Sequence, residues 1–143
     1  MLTVRDLMST NPDTVRPDTP LREVIQTMKL AGCRQLPVVD EQGHLIGIVT
    51  DRDVRLAMNS PMDLPERGLE AELVVSETAA SCMTPDPITV SSDTPAYRAA
   101  EVLSTYKFGA LPVVDNHELV GIITVTDFLD RFTAEKPHKK TGA

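Results

Sequence analysis

A Thr-x-x-Asp motif occurs twice in this sequence and holds the side chains best suited to bind a small molecule. Its residues are Thr50 and Asp53 in the first copy, and Thr124 and Asp127 in the second. Each motif follows an apolar run and begins a helical pattern, which places both side chains on the first turn of a helix. There the carboxylate can accept hydrogen bonds from both hydroxyls of a ribose, and the threonine hydroxyl and free backbone N–H groups can face a phosphate.

The alternative to a ligand site is a capping box, since Ser/Thr-x-x-acid at a helix start stabilises the helix by about 1 kcal/mol with no ligand bound. The motif alone therefore leaves both interpretations open. Gly47 and Gly121 come shortly before the two threonines and carry no side chain. We expect a ligand to approach the strands at these glycines.

The two motifs belong to an internal duplication that spans most of the chain. Residues 8–53 align with residues 83–127, and the run Leu-Pro-Val-Val-Asp at 36–40 returns at 111–115. Because a unit of this size buries too little surface to be stable alone, we expect the two copies to share a core.

Each copy predicts the element order β-α-β-β-α. A short extended piece follows a proline-marked turn, and Asp-Thr-Pro then starts a helix with proline at its first position. Two apolar runs joined by a polar loop predict a hairpin, and a closing helix begins at the Thr-x-x-Asp motif. The predicted first strands are 14–15 and 88–90, the first helices begin at Pro20 and Pro95, the hairpin runs are 36–39 with 45–49 and 111–114 with 119–123, and the closing helices are 51–58 and 125–132.

Prolines and charge divide the chain into four parts. We predict the first repeat unit at residues 1–60, a linker at 61–74, the second unit at 75–135, and a flexible basic tail at 136–143. Boundaries are the feature that a sequence pattern locates least accurately.

Composition excludes several classes of function. The formal net charge of −7 argues against nucleic-acid binding and means that a phosphorylated ligand requires a local cation. No apolar stretch approaches the roughly 20 residues that cross a bilayer, and no signal peptide is visible, so we expect a cytoplasmic protein without membrane contact. Cys33 and Cys82 are predicted to be reduced, mostly buried thiols. His44, His117 and His138 have no ligand-spaced partners, so no metal site is predicted.

The order of the motifs resembles the paired cystathionine-β-synthase (CBS) domain, also called a Bateman module. The resemblance rests on two copies of apolar-Pro-Val-Val-Asp, hairpin and Gly-apolar-apolar-Thr-x-x-Asp, each preceded by Met-Thr/Ser-x-x-Pro and Thr-Val. It implies an α+β fold in which two pseudo-twofold-related β-α-β-β-α units pack sheet to sheet as one module, with two clefts between them. It also implies a stand-alone regulatory protein, not an enzyme, that binds AMP, ADP, ATP or S-adenosylmethionine and forms a homodimer.

The resemblance also assigns roles to particular side chains. The motif aspartates would hold ribose hydroxyls, the motif threonines would contact ribose or phosphate, the backbone of each Thr-Val pair would read the adenine edge, and the proline of each Leu-Pro would pack against the adenine. Arginine and lysine side chains would bind the phosphates. Because the first copy has more of these cations beside its motif, we predict unequal sites, with the more phosphate-rich ligand at the first motif. The residues are Thr14, Val15, Arg34, Pro37, Thr50, Arg52, Asp53, Thr89, Val90, Lys107, Pro112, Thr124 and Asp127.

Two alternatives stay open at this point. Arg34 and Arg52 can instead be solvated or pair with Asp51 or Glu41, because exposed ion pairs reveal little about function. The whole chain can also be a structural interaction or dimerisation module without a nucleotide ligand. A catalytic role lacks any nucleophile or acid–base pair in the sequence, so no catalytic residue is predicted. No cofactor is predicted beyond the regulatory nucleotide.

Overall fold

A computed structural model of the protein describes residues 1–58, called here the first copy, and residues 77–134, called the second copy. The predicted linker at 61–74 and the predicted tail at 136–143 lie outside the described residues. None of the helices in the described part is long and apolar enough to cross a membrane. The first copy contains α1 (Val4–Leu7), β1 (Ser9–Thr10), α2 (Leu21–Ala31), β2 (Gln35–Val39), β3 (Leu45–Thr50) and α3 (Asp51–Met58), and the second contains α4 (Ala79–Cys82), β4 (Thr84–Pro85), α5 (Ala96–Tyr106), β5 (Ala110–Asp115), β6 (Glu118–Thr124) and α6 (Val125–Ala134).

The strands form two antiparallel three-stranded sheets with the orders β2-β3-β4 and β1-β6-β5. Each sheet has a hairpin of one copy at its centre, as the sequence predicted. The third strand of each sheet comes from the other copy: Thr84 of β4 pairs with Ile48, and Ser9 of β1 pairs with Ile122. The predicted α+β class with two sheet-forming repeats is therefore confirmed, and the copies exchange their first strands.

The predicted first strands at 14–15 and 88–90 are wrong as sheet strands. Val15 makes one parallel bridge with Val38, and residue 90 makes the equivalent bridge in the second copy. In the first copy the pairing does not extend beyond this single bridge. Further hydrogen bonds would need the N–H of residue 17 in one direction along the strands and the N–H of residue 37 in the other. Both are prolines, which have no N–H to donate.

Each apolar core is completed by a short helix from the other copy. Val4 of α1 is fully buried among the second copy's Leu103, Leu111 and Ile123, and its N–H donates to the Thr94 carbonyl at 2.9 Å. By the same exchange, α4 of the second copy packs into the core of the first. The shared core expected from the size of the repeat thus takes the form of a reciprocal exchange of the segments that begin each copy.

The short helices α1 and α4 were not predicted, although the sequence holds a signal for one of them. Thr3 and Asp6 form a capping box, with the Thr3 N–H donating to Asp6 Oδ2 at 2.8 Å. This is a third Thr-x-x-Asp motif. The first helices also differ from prediction by one residue, since Pro20 and Pro95 occupy the N-cap positions of α2 and α5 with extended ψ angles.

The two motif-preceding glycines face these exchanged segments. A Cβ on Gly121 would lie 2.7 Å from the carbonyl oxygen of Ser9, and a Cβ on Gly47 would collide with the Met83 sulfur. The expectation that a ligand approaches the strands here is wrong, because a backbone segment of the other copy fills the space.

A polar network fixes the exchanged α1 to the second copy. Ser92, only 3% exposed, donates from its N–H to Asp115 Oδ1 at 2.9 Å and from its hydroxyl to Oδ2 at 2.6 Å. Arg5 of α1 donates to the Ser92 hydroxyl oxygen at 2.8 Å. The hydrogen bonds from Ser92, with a smaller contribution from the charge of Arg5, lower the pKa of Asp115.

Replacing Asp115 with alanine should destabilise the protein by about 1–3 kcal/mol, because the buried Ser92 loses both of its acceptors. Since the folded pKa of Asp115 is below its unfolded value of about 3.9, its contribution is complete above that pH and is lost as the pH falls through the folded value. Urea unfolding between pH 7 and pH 3 measures both effects. If the free energy of unfolding of Asp115→Ala fell as steeply with decreasing pH as that of the unchanged protein, Asp115 would not be the source of this pH dependence.

Candidate functional site

Both Thr-x-x-Asp motifs form capping boxes. The N–H of Thr50 donates to Asp53 Oδ2 at 2.9 Å, and the N–H of Asp53 donates to the threonine Oγ1 at 3.1 Å. The second motif repeats this geometry at 2.8 and 3.1 Å. Each cap uses Oδ2 alone, and Oδ1 of both aspartates accepts no hydrogen bond from the described residues. The capping interpretation is therefore confirmed, yet each half-buried carboxylate keeps an oxygen for a ligand.

The second motif opens into a cleft between the two copies with a volume of about 320 Å³. We call it the Asp127 cleft. Its first-copy wall is the turn after β1, the end of α2 and the start of β2, and its second-copy wall is the end of β6 and the start of α6. The lining residues are Ser9, Thr10, Asn11, Pro12, Asp13, Ala31, Cys33, Gln35, Pro37, Ile122, Thr124 and Asp127.

The chemistry of this lining is mixed in the way that a nucleoside requires. Ile122 is apolar and partly exposed, Pro37 is fully buried, and the polar residues Ser9, Thr10, Asn11, Asp13 and Gln35 complete the first-copy side. Asn11, in the turn that lines the cleft, adopts a left-handed φ of 50°, a conformation that asparagine tolerates better than most residues. The volume lies at the lower end of the range for small-molecule pockets.

The first motif has the equivalent surroundings by the pseudo-twofold relation. Its β3–β4 register, with Ile48 opposite Thr84, repeats the β6–β1 register of the Asp127 cleft. Six equivalent positions differ in chemistry: the first motif has Pro85, Asp86, Ile88, Tyr106, Phe108 and Ala110 where the Asp127 cleft has Thr10, Asn11, Asp13, Ala31, Cys33 and Gln35. The Phe108 ring stacks on Tyr106 at a centroid distance of 5.4 Å. The two positions are therefore unequal in polarity.

Both cysteines are partly buried next to these positions. Burial raises the pKa of the Cys82 thiol, and the Asp53 carboxylate raises it further. Burial likewise raises the pKa of Cys33, with a further contribution from Asp13. Both cysteines are free and have intermediate exposure, in agreement with the prediction of reduced, mostly buried thiols.

The fold brings together only some of the residues assigned by resemblance. Pro37, Thr124 and Asp127 share the Asp127 cleft although they come from different copies. Thr14 is exposed and Val15 is buried beneath the bridge to β2. At the first motif Thr50 and Asp53 are joined by the hydrogen bonds of the capping box. Pro112 is fully buried and Val90 is partly buried. Thr89 lines a separate cavity of about 530 Å³ together with His44 and His117.

Arg34 lies beside the first motif, since its carbonyl accepts a hydrogen bond from the Asp51 N–H at 2.8 Å. Arg34 follows Cys33 at the edge of the Asp127 cleft, but it lines a different cavity of about 380 Å³ with Asp51 and Arg55. Arg52 lies exposed on α3, beside Asp53. Lys107 is exposed and caps the end of α5 with a left-handed φ of 61°. Within the described residues, no group of three or more His, Cys, Asp or Glu side chains could hold a metal ion.

Sequence reasoning missed most of the first-copy wall, including Thr10, Asn11, Asp13, Cys33 and Gln35. The sequence showed an Asn-Pro turn after β1. It did not show that the strand exchange places this turn next to the second copy. The pairing of Ser9 with Ile122 carries this turn across to the second copy's motif.

The sequence matches the family model described as "CBS domain" at residues 4–60 and again at 76–134. The chain belongs to the CBS domain family. It is 37% identical over 129 residues to a CBS domain-containing protein of Dictyostelium discoideum, covering 89% of this chain and 88% of that protein. Other curated relatives are inosine-5′-monophosphate dehydrogenases, of whose length the chain spans 21 to 23%.

Two solved structures show the same fold with nucleosides bound. The CBS domain pair of protein MJ0100, in complex with 5′-methylthioadenosine and S-adenosyl-L-methionine, matches with a TM-score of 0.80 at 28% identity, covering 95% of this chain and 99% of that one. CBSX2 of Arabidopsis thaliana, in complex with AMP, matches with a TM-score of 0.79 at 29% identity, covering 96% and 100%. The predicted family and fold are thereby confirmed.

Proposed function

We propose that this protein is a regulatory module that binds an adenosine-containing ligand between its two copies. The observation that carries the proposal is the carboxylate of Asp127. Its Oδ2 is used by the helix cap, while its Oδ1 accepts no hydrogen bond from the described residues and lies beside a half-open, partly apolar cleft of about 320 Å³. A group that only capped a helix would not need such a cleft beside it.

The contacts available fit the parts of a nucleoside. Asp127 Oδ1 accepts from the ribose hydroxyls, and the Thr124 hydroxyl lies beside it on the same first turn. Ile122 offers an apolar contact to the base, whereas Pro37 is fully buried, and the turn at residues 11–13 lines the same cleft and is assigned to the edge of the base. Support also comes from the two similar structures that contain AMP or S-adenosylmethionine. Asp53 takes the same part at the first motif.

Signalling follows from the position of the ligand across the exchange. The cleft joins the turn after β1 to the second copy, so a ligand favours the arrangement of the two copies that it binds best. A partner protein then reads that arrangement. We also propose that the protein forms a homodimer and has no catalytic activity. The exposed apolar side chains Leu56, Leu129 and Phe132 on α3 and α6 are available for contact between the two subunits. The cytoplasmic location stays a prediction.

Isothermal titration of the protein with AMP, ADP, ATP and S-adenosylmethionine tests the proposal. Asp127→Asn should weaken binding at its cleft about 10- to 100-fold, because a charged acceptor to the ribose is lost while the isosteric amide can still cap the helix. Asp53→Asn reports the first motif in the same way. Thermal unfolding of each variant separates a binding loss from a folding loss.

Asp6 supplies a matched control. It closes the third Thr-x-x-Asp capping box, at α1, and does not line the Asp127 cleft. Asp6→Asn should therefore change stability about as much as Asp127→Asn while leaving ligand affinity intact. If the folded, nucleotide-free protein gives no heat with any of the four ligands, the module is instead a structural interaction domain whose motifs serve only as caps.

A further inference from the structure

The charged side chains that line the Asp127 cleft are all acidic. Asp13 and Asp127 contribute carboxylates, and no lysine, arginine or histidine occurs among the described residues of the lining. The protein as a whole carries a net charge of −7, so its long-range field has the same sign. An anionic ligand entering this cleft meets repulsion from both sources.

Asp13 contributes to this field from the cleft wall. Its side chain is exposed and accepts no hydrogen bond from the described residues, so its charge is not neutralised locally. The carboxylate lies close enough to Cys33, another lining residue, to raise the thiol pKa beyond the effect of burial. The two carboxylates therefore belong to opposite walls, Asp13 to the first copy and Asp127 to the second.

The nearest cations in sequence do not line the cleft. Arg34 lines a separate cavity together with Asp51, and Arg55 donates to that same aspartate at 3.1 Å. Arg131 follows Asp127 by about one turn of α6, does not line the cleft, and lowers the pKa of Asp6, after that residue's hydrogen bonds to Thr3. Neither position supplies the local positive charge that a phosphate requires.

We propose that the Asp127 cleft selects an adenosine derivative whose 5′ substituent is uncharged or cationic, such as a sulfonium, over adenosine phosphates. This selectivity rests on the proposed nucleoside binding and names the ligand class of that site. Asp13 is the specificity-determining residue, because it adds a negative charge to the cleft lining and is not assigned the ribose contact. The first motif has Ile88 at the position equivalent to Asp13 but Asp86 where the Asp127 cleft has Asn11, so the selectivity is proposed for the Asp127 cleft alone.

A pair of probes that differ in one charge tests the selectivity. S-adenosylmethionine carries a sulfonium, and S-adenosylhomocysteine lacks only its methyl group and therefore has a neutral thioether. In Asp53→Asn protein, where the first motif is weakened, we expect the sulfonium compound to bind about fivefold more tightly, and AMP and ATP to bind progressively more weakly. Raising the salt concentration should reduce these ratios by screening.

Asp13→Asn should reduce the preference for the sulfonium to about twofold and strengthen AMP binding about threefold. Glu101→Gln is the matched control, because it removes one negative charge from an exposed position of α5 that does not line the cleft. This control should leave the ratios as they are in the parent protein.

The outcomes separate the two proposals. Tighter binding of ATP than of S-adenosylmethionine, lost in Arg34→Gln, would overturn the charge selectivity and leave nucleoside binding intact. Binding that survives Asp127→Asn but not Asp53→Asn would also overturn it, since the Asp127 cleft would then take no nucleoside. Absence of binding by all four probes would overturn the proposed function together with this inference.

Discussion

Replacing Val4 with aspartate should destabilise the protein by about 3–5 kcal/mol and should first loosen the second copy, although Val4 belongs by sequence to the first. The side chain is fully buried against Leu103, Leu111 and Ile123. A charge placed there has no partner within the apolar core, which is why the cost is large. Urea unfolding measures the loss of stability.

Amide hydrogen exchange shows which copy responds to this change. The amides of Leu111 and Ile123 should exchange faster in Val4→Asp, while those of Leu36 and Val49 should be less affected. Ala79 occupies the equivalent position of α4 and is fully buried in the first copy's core. Ala79→Asp should therefore give the opposite pattern, and the same pattern in both variants would argue against the exchange of α1 and α4.

Replacing Gly121 with alanine should lower the free energy of unfolding by about 1–3 kcal/mol. The added Cβ would lie 2.7 Å from the Ser9 carbonyl oxygen and 2.8 Å from the Met8 sulfur. A methionine side chain can move, but the backbone carbonyl is held by the pairing of β1 with β6. The strand must therefore shift, and with it the turn at residues 11–13 that lines the Asp127 cleft. Ligand affinity at this cleft should fall together with stability.

Gly109 provides the control for this substitution. A Cβ there would approach only Gln35, whose nearest atom is the amide nitrogen at 2.8 Å, at the end of a flexible side chain. Gly109→Ala should cost less than about 0.5 kcal/mol, as do most substitutions away from tightly packed sites. Thermal and urea unfolding of the two variants measures this difference in stability. Equal stability of Gly121→Ala and Gly109→Ala would contradict the close approach of β1.

The apolar faces and hairpins were predictable because their signals are local. Leu21, Val24 and Met28 recur at helical spacing and are buried as the pattern indicates. The Leu-Pro-Val-Val runs pair with their own hairpin partners, for which a short loop suffices. The Thr-x-x-Asp motifs fixed the helix starts at residues 51 and 125 through caps that involve only residues within one turn.

The candidate site was only half predictable for the same reason. Asp127, Thr124 and Pro37 were identified as candidates by their motifs, but nothing in the sequence indicated that Pro37 would meet the other copy's aspartate. Asp13 had no motif at all. Its role depends on the strand exchange that carries the turn after β1 to the second sheet.

The sequence by itself determined the duplication, the two hairpins, the amphipathic helices and the capped carboxylates. Only the tertiary structure decided which copy each opening segment joins, and therefore which residues share a cleft. The physical reason lies in the kind of interaction involved. Side-chain spacing and capping act over a few residues, whereas β1 and β4 are held by backbone hydrogen bonds that almost any residue can make, and the two copies offer nearly equivalent partners for them.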